Sequence, residues 1–151
     1  MKNDEQKTAQ ACADAMWAGD RASQDLGMAI VETGPGTATI SMPVTENMLN
    51  GLKTCHGGYI FTLADSAFAF ACNSQNQIAV AAGARIEFIA PARLGDTLVA
   101  KARAVTQGKR SGVYDITVSN QSGKTVALFR GNSARIGGSL VDEVTGEPLS
   151  H

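Results

Sequence analysis

The chain has 151 residues, 13 Lys plus Arg, 14 Asp plus Glu and a formal net charge of −1, which fits one well-buried core and one active site. Its basic residues are scattered through the second half without forming a stripe, which argues against nucleic acid or an anionic membrane surface as a partner. The first ten residues are polar and charged, and no apolar run is long enough to span a bilayer, so the expected location is the cytoplasm. Cys12, Cys55 and Cys72 cannot all pair, and their spacing fits neither a disulfide framework nor a zinc site, so reduced thiols and no metal are expected.

In chain order, residues 4–21 carry Ala11, Ala15, Met16 and Ala18 at a loosely helical spacing, and Gly19-Asp20 marks the end of that first helix. The pattern then turns to β-type residues at 28–31, a turn at Gly34-Pro35-Gly36, and clear alternation over 37–42, which together read as a hairpin. A loop over 43–55 leads to His56-Gly57-Gly58, and the stretch to Cys72 that follows is so rich in Ala, Leu and Phe that a helix there must be covered nearly all round. Four strand-like segments follow at 78–89, 96–106, 113–120 and 125–136, punctuated by Gly95-Asp96, Gln107-Gly108-Lys109 and Ser122-Gly123-Lys124.

The order predicts an α+β fold in which an antiparallel sheet curls around one long apolar helix. It divides the chain into an N-terminal helical segment at 1–24, a helix-and-sheet domain at 25–138 and a flexible tail at 139–151, polar and Gly-containing.

Two features carry chemistry. Asp65 is an acid in the middle of the most apolar helix, beside Leu63, Ala64, Ala67 and Phe68, where burial should raise its pKa unless it meets a donor or a wet cavity. His56-Gly57-Gly58 opens the same helix, where the first backbone N–H groups have no intrahelical partner and the dipole favours negative charge. A glycine there lets a carbonyl come close, so the Gly57 N–H suits the oxyanion of acyl transfer. Gly57 and Asp65 are eight residues apart, which at about 1.5 Å per residue separates them by roughly 12 Å. If both act on one carbonyl, Asp65 must come from a second subunit, and a two-fold dimer with two shared sites is expected.

Asn50-Gly51, Cys55-His56-Gly57-Gly58 and Phe61-Thr62-Leu63-Ala64-Asp65 together resemble the hotdog thioesterases of the phenylacetic acid degradation (PaaI) type. The resemblance continues through Ala71-Cys72-Asn73-Ser74-Gln75, Gly112-Val113-Tyr114-Asp115, Lys124 to Gly131 and Arg135-Ile136-Gly137-Gly138, so it covers nearly the whole chain except its ends. It implies the hotdog fold and hydrolysis of acyl-CoA thioesters, with aryl-acetyl or ring-hydroxylated phenylacetyl-CoA as substrates. Coenzyme A is then part of the substrate and no separate cofactor is expected. The resemblance also implies Asp65 as general base or nucleophile, Gly57 as oxyanion donor, Asn50 and His56 as supports for the thioester end, and a dimer of dimers.

By residue chemistry alone, Asn50 can donate an amide N–H to the substrate or serve as ordinary turn chemistry, and His56 can bind backbone through a ring nitrogen. Gly108, Lys109, Arg110 and Ser111 match the turn that contacts the nucleotide in relatives, and two cations on a flexible backbone suit a phosphate. Arg85, Arg93 and Arg130 are further cation candidates. Tyr59, Phe61, Phe68 and Phe70 are candidates for pocket walls. The chain departs from its relatives at Ala81-Ala82-Gly83-Ala84, where they often carry a hydroxyl residue facing the thioester. Three rival readings are a hotdog hydratase or dehydratase, which needs a matched acid and base, a non-catalytic acyl-CoA sensor, and a thiol nucleophile at Cys55 or Cys72.

Overall fold

The computed structural model describes residues 2–150. Helix α1 (Lys2–Gly19) is followed by a short α2 (Arg21–Asp25), the hairpin β1 (Ala29–Gly34) and β2 (Thr37–Pro43), helix α3 (Gly57–Cys72), and strands β3 (Ala79–Phe88), β4 (Thr97–Gln107), β5 (Ser111–Ser119) and β6 (Thr125–Arg135). The strands form one antiparallel sheet in the order β1-β2-β4-β5-β6-β3. Helix α3 packs across its concave face, as expected for the hotdog fold.

Alternation decides which residues face α3. In β2, β4 and β5 the buried set is Ala38, Ile40 and Met42, then Leu98, Ala100 and Ala102, then Tyr114, Ile116 and Val118. Against them α3 buries Leu63, Ala64, Ala67 and Phe68, the Leu63 and Phe68 side chains contributing about 1.5–3 kcal/mol each. Gly131 of β6 is a contact point, because an added Cβ would lie 2.7–2.9 Å from the Phe68 ring.

The first helix ends at Gly19, where Gly19-Asp20 marks it, and a second short helix follows that the sequence pattern did not announce: Asp20 caps α2, accepting from the Ser23 N–H at 3.0 Å and from the Ser23 hydroxyl at 2.7 Å. The Ser23 hydroxyl also meets that of Ser66 at 2.8 Å, which seats α2 on α3. The segment after Gly138 has defined contacts. Val141 is buried and bridges Pro148, and Asn76 binds both main-chain groups of Val141 and the Leu140 N–H. Met1 and His151, the outer ends of the expected end segments, lie outside the described residues.

Strand β3 differs from its neighbours. Among the described residues it pairs only with β6, leaving its other edge open, and most of its residues are exposed on both faces, including Val80 at 46% and Phe88 at 54%. No helix among the described residues is long and apolar enough to cross a membrane.

Candidate active site

The loop before α3 is held by its own main chain. Leu49 bridges Cys55, Asn50 N–H donates to Thr54 O at 2.8 Å, and His56 N–H donates to Met48 O at 2.7 Å. The Asn50 side chain stitches the turn together, its Oδ1 accepting from the Leu52 and Thr54 N–H groups at 2.9 and 3.2 Å, and its amide donating to Thr54 Oγ1 at 3.1 Å. Of the two chemistries open to Asn50, this arrangement is an Asx turn.

His56 is the N-cap of α3. Its backbone has φ −58° and ψ 134°, and its Nδ1 accepts the Gly58 N–H at 3.0 Å. A ring nitrogen that accepts is unprotonated, so neutral His56 carries its proton on Nε2. Tyr59 N–H donates to His56 O at 3.0 Å. Among the described residues nothing accepts the N–H of Gly57, so one donor at the positive end of the helix stays open.

Asp65 lies two turns further along. Contrary to the expectation of all-round cover, α3 keeps a stripe open: Gly58 is exposed and Thr62, Asp65, Ser66 and Ala69 are only half-buried, at helical spacing. The Asp65 carboxylate accepts from no donor among the described residues, and burial pushes its pKa above the ordinary carboxylate range. Such an acid takes a proton from water more readily than an exposed carboxylate does.

Gly108 N–H donates to Ser111 O at 2.8 Å, closing the exposed turn that carries Lys109 and Arg110. Neither cation forms an ion pair among the described residues. Along α3, Phe61 meets Phe129, Phe68 meets Gly131, and Gln75 beyond the helix end meets Arg135, so β6 runs alongside α3 in the same direction. Ser111 pairs with Ala134. The 108–111 turn therefore stands at the C-terminal end of α3, while Gly57 stands at the other, about 24 Å away for a 16-residue helix. One chain brings Asn50, His56 and Gly57 together but leaves Asp65 and the basic turn apart from them.

The other candidates resolve by burial and pairing. Arg85 pairs with Glu87 at 2.7 Å and Arg130 with Asp115 at 2.6 Å, both on the sheet's outer face, while Arg93 forms no ion pair among the described residues. Phe68 and Phe70 belong to the core, Phe70 packing on Trp17 at 6.3 Å, whereas Tyr59 and Phe61 are only half-buried. Cys55 and Cys72 are buried thiols whose pKa values burial raises, that of Cys72 to about 12, which makes both poor nucleophiles.

A six-stranded antiparallel sheet wrapped on one helix is the hotdog architecture, and an open N–H at that helix's start with a raised-pKa acid on its uncovered stripe is an arrangement suited to thioester chemistry. Residues 52–127 match the thioesterase superfamily. Over 131 residues the chain is 52% identical to the acyl-coenzyme A thioesterase PaaI of Escherichia coli K12, covering 87% of this chain and 94% of that one. The solved structure of the E. coli PaaI protein from the phenylacetic acid degradation operon superposes with a TM-score of 0.87, covering 87% of this chain and 96% of that one. A Streptococcus mutans UA159 structure bound to acetyl CoA is 31% identical with a TM-score of 0.72, over 74% of this chain and 90% of that one. The chain belongs to the thioesterase superfamily.

Proposed function

We propose that this thioesterase hydrolyses aryl-acetyl thioesters of coenzyme A, such as phenylacetyl-CoA and its hydroxylated forms, to free acid and CoA in phenylacetate degradation. The observation that carries the reading is the pairing of an open Gly57 N–H at a helix start with a half-buried acid on the same helix that has no donor among the described residues. Asp65 takes a proton from water as the water oxygen attacks the thioester carbonyl. The carbonyl oxygen becomes an oxyanion held by the Gly57 N–H. Collapse breaks the C–S bond and the CoA thiolate leaves, taking up a proton. Water is the other reactant, and coenzyme A belongs to the substrate, so no separate cofactor is required. The cytoplasm suits such a reaction.

Shared sites follow from the lengths involved. The edge of β3 that pairs with no strand among the described residues suits a two-fold partner seated there. Two-fold pairing at that edge runs the two α3 helices antiparallel. The N-terminus of one then faces the C-terminal half of the other, and Gly57 of one chain meets Asp65 of its partner, with the Lys109-Arg110 turn further along that helix. Dimers pairing further into a tetramer complete this reading. An open groove of about 640 Å³ on the sheet's outer face, lined by Arg85, Lys101, Asp115 and Arg130 among others, is the surface available for that step.

The test is release of CoA thiol from a panel of phenylacetyl-CoA, hydroxyphenylacetyl-CoA, benzoyl-CoA and straight-chain acyl-CoAs. Preference for the aryl-acetyl members, abolished by Asp65→Asn, supports the reading. Binding without release turns it toward a sensor. Hydration of an enoyl-CoA turns it toward a hydratase, although His56 already commits Nδ1 to its own helix. Mixing Asp65→Asn subunits with Gly57→Pro subunits tests sharing directly: random exchange should restore about a quarter of the sites. No recovery after verified exchange sinks the shared site.

A further inference from the structure

Phe88 is the last residue of β3, and its register partner on β6 is Ala127. Ala127 is fully buried on the concave face and too small to cover a phenyl ring. The Phe88 ring therefore reaches past it to α3. An added Cβ on Gly57 would lie 2.9 Å from Phe88 Cζ, 3.2 Å from Cε1 and 3.5 Å from Cε2, so the tip of the ring touches the residue that bears the open N–H. The rest of the ring is not covered, since Phe88 is 54% exposed. One turn along the helix from Gly57, on the same side, Phe61 is half-buried and stacks edge-to-face on Phe129 at 5.2 Å. Phe129 in turn pairs with Ile86, two residues before Phe88 on the same face of β3. Phe88 and Phe61 thus flank Gly57 as two aromatic side chains with ring surface to spare.

We infer that Phe88, with Phe61 beside it, forms the aromatic wall that selects the acyl group. This rests on the thioesterase reading and on Gly57 as its oxyanion donor. A thioester carbonyl whose oxygen sits on the Gly57 N–H has its α-carbon two bonds from that oxygen. In an aryl-acetyl group the ring is one bond further, so it falls within reach of the side chains flanking Gly57. A straight alkyl chain meets the same wall without the offset or edge-to-face contact that two aromatic rings make. The ring contact accounts for about a two- to tenfold preference. It also explains why residue 57 has no side chain: the Phe88 ring occupies the place a Cβ would take.

The experiment compares kcat and KM for phenylacetyl-CoA and hexanoyl-CoA in the parent, Phe88→Leu and Phe88→Tyr. Phe88→Leu keeps an apolar side chain and should raise KM for phenylacetyl-CoA by about two- to tenfold while leaving hexanoyl-CoA within twofold. Phe88→Tyr keeps the ring and should keep the parent's preference. A merely structural Phe88 would lower turnover of both substrates together, so equal losses on the two, or no change on either, overturn the proposal. Loss of preference in Phe88→Tyr also overturns it. Thiol release by the parent reports separately on the thioesterase reading, because the inference about Phe88 is read from the ratio of the two substrates.

Discussion

The two ends of α3 are built to opposite rules. At the C-terminal end the buried polar side chains that follow the helix have work in the fold: the Asn73 amide donates to Ala69 O and Ala79 O, its Oδ1 accepts the Ala79 N–H, and the Ser74 hydroxyl donates to Ala71 O while accepting the Gly36 N–H. Asn76 completes the set and ties down the chain beyond β6. All three residues are buried. At the N-terminal end the His56 cap satisfies Gly58, and the Gly57 N–H is left open beside a half-exposed phenyl ring. One end of the helix holds the fold together and the other leaves a donor open, so on the proposed mechanism substitutions at the two ends should separate stability from turnover.

The sharpest break of that contrast is Gly57→Pro. Proline is accommodated at the first helical position and lacks the N–H, and His56 already has the extended backbone, φ −58° and ψ 134°, that a residue before proline requires. The half-exposed Phe88 ring must swing aside. Turnover should fall by about 10²–10³-fold, the worth of one oxyanion donor, with the thermal midpoint nearly unchanged. A variant that keeps its turnover removes the oxyanion role. At the other end, Asn76→Ala leaves the Leu140 and Val141 groups without partners and puts alanine at φ +60°. Its expected loss is on the order of 3 kcal/mol by denaturant titration, with kcat retained in the folded fraction.

Asp65 joins the two properties in one residue. Its pKa is raised by burial, so folding is favoured most when the carboxyl is protonated, and that stability is lost as pH rises through the folded-state value. On the proposed mechanism the carboxylate is the active form, so activity should rise over the same window. Asp65→Asn should therefore lower turnover by about 10²–10⁴-fold while making the protein at neutral pH as stable as the parent or more so. A destabilised Asp65→Asn would mean that the carboxylate has a structural partner.

The central helix, the hairpin, the later strands and Asp65 were legible in the sequence because each depends on local pattern: apolar residues on every face of 59–72, alternation over 37–42, one acid among alanines. What stayed hidden depends on contacts distant in sequence. Asp20 reads as the end of a helix, and only its bonds to Ser23, together with the seat Ser23 finds on Ser66, make it the start of another. The tail after Gly138 reads as frayed because Val141 is its one buried apolar anchor and the rest of its hold comes from Asn76, 65 residues earlier. Phe88 reads as one more apolar strand residue, and its contact with Gly57 across 31 positions is a product of the strand order.

The smallest effect sharpens the contrast most, because it compares like with like. Ser74 and Ser133 are both 1% exposed. Ser74 both donates and accepts, whereas the Ser133 hydroxyl, on β6 opposite Ala81, has no partner among the described residues. Ser74→Ala orphans the Gly36 N–H and should lose about 1–3 kcal/mol. Ser133→Ala removes a hydroxyl that was dehydrated on folding without compensation, so stability should hold or rise, by about 1 kcal/mol at most. Paired denaturant titrations of the two variants decide it. If Ser133→Ala is destabilised as much as Ser74→Ala, the hydroxyl has a partner that only the assembled protein supplies, and the concave face near Ala81 belongs to the interface between subunits.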